Sequence, residues 1–339
     1  MVLNFCSVFN TGYLTKGLAL HQSLMAAAPS FHLYIFALDE TCYTILVDKK
    51  LENTTIIKFD KFEDEQLLSV KSSRSISEYC WTCKPFILKY CFEHYRLERC
   101  TYLDADLYFY SDPQPMFDEA GDSSVMITPH NYYPAYDQRA TSGIYCAQLV
   151  MFKNDTDGMQ VLNWWQGACL KWCSKYHEDG KWADQKYLDS WPYMFNNVHI
   201  CRNKGAGLAP WNLLNNSYTQ QGNALLLDGE KLIFYHFHDL QLLPQNTWYI
   251  GSYEVPDLII DHIYRPYIEK LSGFNGQIQA QYPDVNGANI SDEIPAELTT
   301  KFKLGTYRLD LIGAFKVFFD SLFFISKRRY YKRNYIKLR

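Results

Sequence analysis

Along the first 130 residues, short apolar runs alternate with amphipathic stretches. The run LNFCSVF (3–9) predicts a strand, and TGYLTKGLALHQSLMAAA (11–28) a helix carrying Leu14, Leu18, Leu20 and Leu24. HLYIFAL (32–38) predicts a second strand, closed by Asp39. TCYTILVDK (41–49) reads as a short helix and NTTIIKF (53–59) as a third strand. WTCKPFILKYCFEHY (81–95) is helical in pattern, and CTYLDADLYFY (100–110) follows as one strand. Strand–helix alternation of this kind predicts an α/β fold, a mainly parallel sheet with helices on both faces. Ligands in such sheets bind at the carboxyl ends of the strands, where Gly12, Asp39 and Asp104 fall.

The second half is less regular. SGIYCAQLVMF (142–152) predicts a strand, GMQVLNWWQGACLKWCSKY (158–176) a helix, and WADQKYLDSWPYMF (182–195) a short helix ending near Pro192. LIFYHFH (232–238) predicts a strand on which His236 and His238 share a face. Beyond residue 278 the composition turns polar, and 279–302 reads as a linker.

Composition adds a charge asymmetry. The 339 residues carry a net charge of −4, but KRRYYKRNYIKLR (327–339) holds seven Lys or Arg and no acid. The body is therefore near −11 and the end of the chain +7. Aromatic and apolar residues of 309–325 followed by these cations suit an anionic membrane surface. An acidic body argues against a nucleic-acid partner. The apolar run 311–325 contains Lys316 and Asp320 and is too short to span a bilayer. MVLNFCSVFN lacks the pattern of an export signal, so the expected location is cytoplasmic, peripheral to the inner face of the plasma membrane. In that reducing setting the ten cysteines are expected to be free thiols, the Cys80/Cys83 and Cys169/Cys173 spacings serving helix faces.

Asp104 and Asp106 raise a question of charge. In an extended chain they point to one side, and two carboxylates so close repel unless a cation lies between them. Apolar residues precede and follow the pair, making unpaired burial costly. A hard divalent cation, Mg²⁺ or Mn²⁺, answers this, leaving open positions that phosphate oxygens fill. A second D-x-D, Asp155-Thr156-Asp157, follows Lys153-Asn154 and precedes Gly158, which reads as a turn and helix cap.

YLDADLYFYSDP resembles the D-x-D strand end of GT-A glycosyltransferases, particularly glycosyltransferase family 8 and its bacterial relatives that extend lipopolysaccharide or capsule chains. The resemblance runs from about residue 2 to 245 and implies a GT-A catalytic domain over 1–245. A helical extension and linker (246–305) and a basic amphipathic membrane-associating tail (306–339) complete the expected layout. FNTGYLTKGLALHQSL resembles the segment that receives the nucleotide, implicating Asn10, Thr11, Gly12, Tyr13 and Lys16, with Asp39 at the next strand end. WTCKPFILKY resembles the helix whose basic residue, here Lys84, faces the donor. ATSGIYCAQLVMF resembles the turn that approaches the donor sugar, here Ser142 and Gly143. WADQKYLD resembles the Asp-Gln element, here Asp184 and Gln185, and FYHFHDL the strand whose histidine completes the metal site, here His236. The chain departs from family 8 after that histidine: HFHDLQLLPQNTW lacks the Gly and Lys-Pro-Trp that contact the diphosphate. Lys16 or Lys84 is expected to take that part.

The resemblance implies transfer of a sugar from a nucleotide-diphosphate donor, a UDP-sugar, to a glycan or lipid-linked acceptor, with Mn²⁺ or Mg²⁺ held by Asp104, Asp106 and His236. Retention is implied, with Asp184 and Gln185 near the anomeric carbon. An inverting route would use Asp137 or Asp239 as base. A sugar nucleotidyltransferase and a non-catalytic carbohydrate-binding or assembly protein are the alternatives from other classes.

Overall fold

The computed structural model describes residues 2–222, 224–288, 290 and 334–337. At its centre is a seven-stranded sheet. Its strands are β1 (Leu3–Phe9), β2 (Phe31–Ala37), β3 (Thr54–Lys58), β4 (Arg99–Leu103), β6 (Val125–Pro129), β7 (Tyr145–Lys153) and β8 (Val198–Ile200), with β5 (Leu107–Phe109) outside it. They lie in the order β3-β2-β1-β4-β7-β6-β8. Neighbours from β3 to β4 are parallel, β7 runs antiparallel to β4 and β6, and β8 is parallel to β6.

Both faces of the sheet are covered, which is why its strands read as nearly unbroken apolar runs. Phe5, Phe9, Leu33 and Ile35 pack with Leu18 and Leu24 of the helix Leu14–Ala27 on one face. Cys6, Val8, Tyr34 and Phe36 point the other way, onto Phe86, Ile87 and Cys91 of the helix Ile76–Tyr95 and Trp165 of the helix Thr156–Lys171. A third apolar cluster joins Tyr235, Phe237, Trp248, Tyr264 and Tyr267 to Ile336.

The run 100–110 is two strands, not one. β4 stops at Leu103, the Leu107 N–H donates to the Asp104 carbonyl (3.2 Å) across a turn, and β5 then pairs antiparallel with Phe234–His236. Leu103 and Leu107 are both fully buried on either side of the turn, so no polar residue marks the break in that run except the two aspartates. The helix containing Lys84 begins at Ile76, earlier than the sequence pattern indicates, under a capping box made by Ser75 and Glu78. Pro85 therefore sits inside it, not near its start.

The expected division at 245 cuts a hairpin, Gln241–Leu243 with Thr247–Tyr249, and the helix Arg265–Gln281 packs on Leu14–Ala27. The expected linker from 279 begins inside that helix, and the Thr15 N–H donates to Gly287 O. Of the expected tail, 306–333 lies outside the described residues. Tyr335–Lys337 is a strand antiparallel to Thr247–Tyr249 with Ile336 buried, so these three residues of the expected tail pack with the body. No helix among the described residues is long and apolar enough to cross a membrane. The ten cysteines are free.

Glu78 ties the Lys84 helix to the loop that leads to Asp184. Its carboxylate accepts from the Ser75 N–H and hydroxyl, the Ser174 hydroxyl (2.8 Å) and the Lys175 N–H (2.9 Å). Burial opposes its ionisation, but these donors, led by the Lys175 N–H, pull it down to about 2. A carboxyl depressed in the folded state stabilises above its unfolded value and loses that contribution as pH falls through the folded one. Glu78→Ala is expected to cost about 1–3 kcal/mol at neutral pH. Melting curves of both proteins should converge as pH drops from about 4.5 towards 2. A gap independent of pH would contradict the assignment.

Candidate active site

The carboxyl ends of β1, β2 and β4 open into a cleft of about 880 Å³. Asp104 and Asp106 stand on its floor, held by the turn between β4 and β5. The Asp104 N–H donates to Gln148 O (2.8 Å), and Asp106 O accepts from the Phe237 N–H (3.0 Å). Pairing of Phe234–His236 with β5 sets His236 opposite Leu107, and its Nε2 lies 3.2 Å from Asp106 Oδ1. One ligand atom each from Asp104, Asp106 and His236 can be chosen so that all three lie within 4.8 Å of one another. His236 Nδ1 is buried and has no hydrogen-bond partner among the described residues. Two carboxylate oxygens and an imidazole nitrogen form a donor set suited to Mn²⁺ or Mg²⁺. His238 lies past the end of the strand and is exposed, its ring 5.7 Å from that of His236.

Each carboxylate of the pair has its own ammonium. Lys16 Nζ, over the Tyr13 ring at 4.4 Å, lies 3.7 Å from Asp106 Oδ2. Lys84 Nζ sits 3.0 Å from Asp104 Oδ1 and 3.1 Å from Asp184 Oδ2, with its side chain only 3% exposed. It also reaches Ala147 O (3.3 Å) and stands 4.8 Å over the Tyr102 ring. Burial works against the Lys84 charge, but Asp104 and Asp184 together hold it above the usual lysine range. Burial raises Asp184 to about 6, against the pull of Lys84. Burial works against Asp106 as well, yet His236 and Lys16 keep it below the usual carboxylate range.

Other expected residues divide between the cleft wall and its supports. Asn10, Tyr13, Ser142 and Gln185 line the cleft. Gln185 Nε2 donates to Ser142 O (2.8 Å), and neither Asp184 nor Gln185 caps the following turn with its side chain. Gly143 has φ +100, a conformation that favours glycine, and a Cβ there would stand 3.1 Å from Asp189 Oδ1. Thr11 and Gly12 form a short turn that Asp39 secures by accepting from the Thr11 N–H (2.8 Å) and from the Cys42 N–H (2.7 Å), capping the helix Glu40–Lys49. Asp239 lines the cleft, but Asp137 does not; Arg139 grips it with Nε and Nη2. Asp137 thus stands outside the cleft in a surface ion pair, and Asp239 inside it. Asp155 accepts from the Gly158 N–H (2.9 Å) as a helix cap, the part its sequence context indicates.

The sequence did not single out Tyr102, whose hydroxyl donates to Asp104 Oδ1 (2.8 Å), although its place two residues before Asp104, at the end of β4, is a readable signal. Nor did it single out the aromatic wall of His130, Tyr132 and Trp211, which no local spacing connects. Trp211 Nε1 bonds to His130 O (2.8 Å), and the Tyr132 and His130 rings stack at 4.6 Å.

No family model matches the chain. The uncharacterized protein YfnF of Bacillus subtilis strain 168 is 30% identical over 302 residues, covering 86% of this chain and 99% of its own length. YfnD of the same organism is 30% identical over 293 residues, covering 83% and 92%. Among solved structures, the galactosyltransferase LgtC in complex with donor and acceptor sugar analogs matches with a TM-score of 0.51 at 11% identity, covering 80% of this chain and 96% of LgtC. At that identity the likeness concerns the fold, which is GT-A.

Replacing Lys84 with Met leaves Asp104 and Asp184 facing each other without their shared cation. The loss is expected to be roughly 3–5 kcal/mol in urea unfolding. Adding Asp184→Asn to that variant should recover part of it. A cost well under 1 kcal/mol, with no recovery, would contradict the buried-pair account.

Proposed function

The chain belongs to the family of the Bacillus subtilis proteins YfnF and YfnD and carries a GT-A fold, and from that footing we propose that it is a divalent-metal-dependent glycosyltransferase. It moves a sugar from a nucleotide-diphosphate donor, a UDP-sugar, to a glycan or lipid-linked acceptor in surface polysaccharide synthesis. The observation that carries the reading is the convergence of Asp104, Asp106 and His236 at the end of β4, inside a cleft large enough for a nucleotide-sugar. These three residues would hold Mn²⁺ or Mg²⁺, which supplies charge neutralisation at the departing diphosphate.

The chain's own groups supply the rest. Lys16, at the start of the helix Leu14–Ala27, offers a second positive charge to the phosphates and stands in for the lysine missing after His236. Lys84 is committed to Asp104 and Asp184, so its part is to fix those carboxylates rather than to bind phosphate. Gln185, anchored on Ser142, presents its carboxamide to the donor sugar. Asp184 lies against the same wall. Retention on one face of the sugar is the proposed course, with Asp184 and Gln185 near the anomeric carbon; Asp239, which also lines the cleft, is the base of the inverting alternative. The basic run 327–339 with the aromatic and apolar residues of 309–325, read from sequence, adds an anionic membrane surface as a partner.

Mn²⁺-dependent hydrolysis of UDP-sugars tests the proposal. Asp104→Asn and Asp106→Asn should each lower the rate by about 10²- to 10³-fold, while Asp155→Asn keeps it within about twofold. Full metal-dependent turnover in Asp104→Asn, or a loss confined to Asp155→Asn, would overturn the metal assignment. The anomeric configuration of the released sugar, followed by NMR, distinguishes retention from an inverting route through Asp239.

A further inference from the structure

We propose that Asn334 is a positioning residue for the donor-sugar wall, acting through Tyr253 and Gln138 on the Ser142–Gln185 corner. The inference rests on the glycosyltransferase reading only for the activity it modulates. Asn334 precedes the strand Tyr335–Lys337 and is 2% exposed. Its carboxamide donates to Gly251 O (2.6 Å) and Tyr253 O (3.0 Å), and its own carbonyl accepts from the Ile250 N–H (3.0 Å). One side chain therefore pins both ends of the 251–253 turn, which Gly251 enters at φ +88.

That turn reaches the cleft. Tyr253 lines it, and its hydroxyl accepts from Gln138 Nε2 (2.9 Å). Gln138 in turn bonds to Ser142 twice: its Oε1 accepts from the hydroxyl (3.2 Å) and its carbonyl from the N–H (2.7 Å). Ser142 O holds Gln185 Nε2 at 2.8 Å. An unbroken series of hydrogen bonds thus joins position 334 to the cleft wall 149 residues earlier in the chain. The loops touch again where the Glu254 N–H meets the Tyr136 hydroxyl (3.1 Å) and the Tyr136 and Tyr253 rings meet edge to face at 5.1 Å. A residue that only finished an edge strand would need neither side-chain bond to the turn.

The full chain carrying Asn334→Ala, Tyr253→Phe or both tests this. Amide hydrogen exchange should speed up over 138–143 and 250–254 in Asn334→Ala, and over 138–143 alone in Tyr253→Phe. In Mn²⁺-dependent UDP-hexose hydrolysis, kcat should fall about tenfold in Asn334→Ala and less in Tyr253→Phe, with donor KM within about twofold. The double variant should fall no further than Asn334→Ala, because both changes break one series. Tyr253→Phe leaves the Asn334 bonds in place and serves if Asn334→Ala does not fold, its faster exchange over 138–143 being read alone. Unchanged exchange over 138–143, or losses that multiply in the double variant, would overturn the inference. If the wild type hydrolyses no nucleotide-sugar, the glycosyltransferase reading fails, and the exchange data still decide the role of Asn334.

Discussion

The buried ammonium of Lys84, wedged between Asp104 and Asp184, is the interaction on which the rest of the site depends. A lysine so deep is tolerated only where charge and hydrogen bonds replace water, and here two carboxylates from different elements do so. The helix Ile76–Tyr95 supplies the cation, the end of β4 one anion, and the segment before Lys186–Ser190 the other. Their meeting fixes how helix, strand and loop sit relative to one another. It also leaves Asp106 to Lys16 and His236. The repulsion within the D-x-D pair is thus relieved twice over, by separate ammonium groups, before any divalent cation is considered.

This arrangement explains why β4 must break where it does. A straight strand would carry Asp104 and Asp106 side by side along one sheet face. The turn instead lets β4 finish in the seven-stranded sheet while β5 departs to pair with Phe234–His236, bringing a histidine that is 130 residues from Asp106 in the chain to within 3.2 Å of it. The cleft opens between these two pairings. Its aromatic side is built from Tyr132, stacked on His130, with the buried Trp211 packed behind them against His236 and His238.

Much of the fold was legible because both faces of the sheet are covered. Strands buried on two sides write themselves as apolar runs, and β1 to β3 were read with their helices within a few residues of their bounds. Asp104 was separable from Asp155 by context, since strand residues flank one and cap residues the other. Less visible were features that depend on meetings across the chain. The same double burial that reveals strands hid the break in 100–110. That Asp137 lies outside the cleft while Asp239 lines it depends on how distant loops fold, although the Arg139 pairing two residues away is a local signal. Ile336 was submerged among cations, yet the alternation in NYIK, with one buried apolar residue between two more exposed ones, is that of an edge strand. The series from Asn334 to Gln185 has no sequence signature.

Crystals soaked with Mn²⁺ and UDP, measured at the manganese absorption edge, give the most direct test of the central claim. The account predicts an anomalous peak at about 2.1 Å from oxygens of Asp104 and Asp106 and from a nitrogen of His236, with the UDP phosphates beside it. A peak elsewhere, for instance among the buried thiols of Cys6, Cys91 and Cys100, or UDP bound with no peak between the two aspartates, would contradict it.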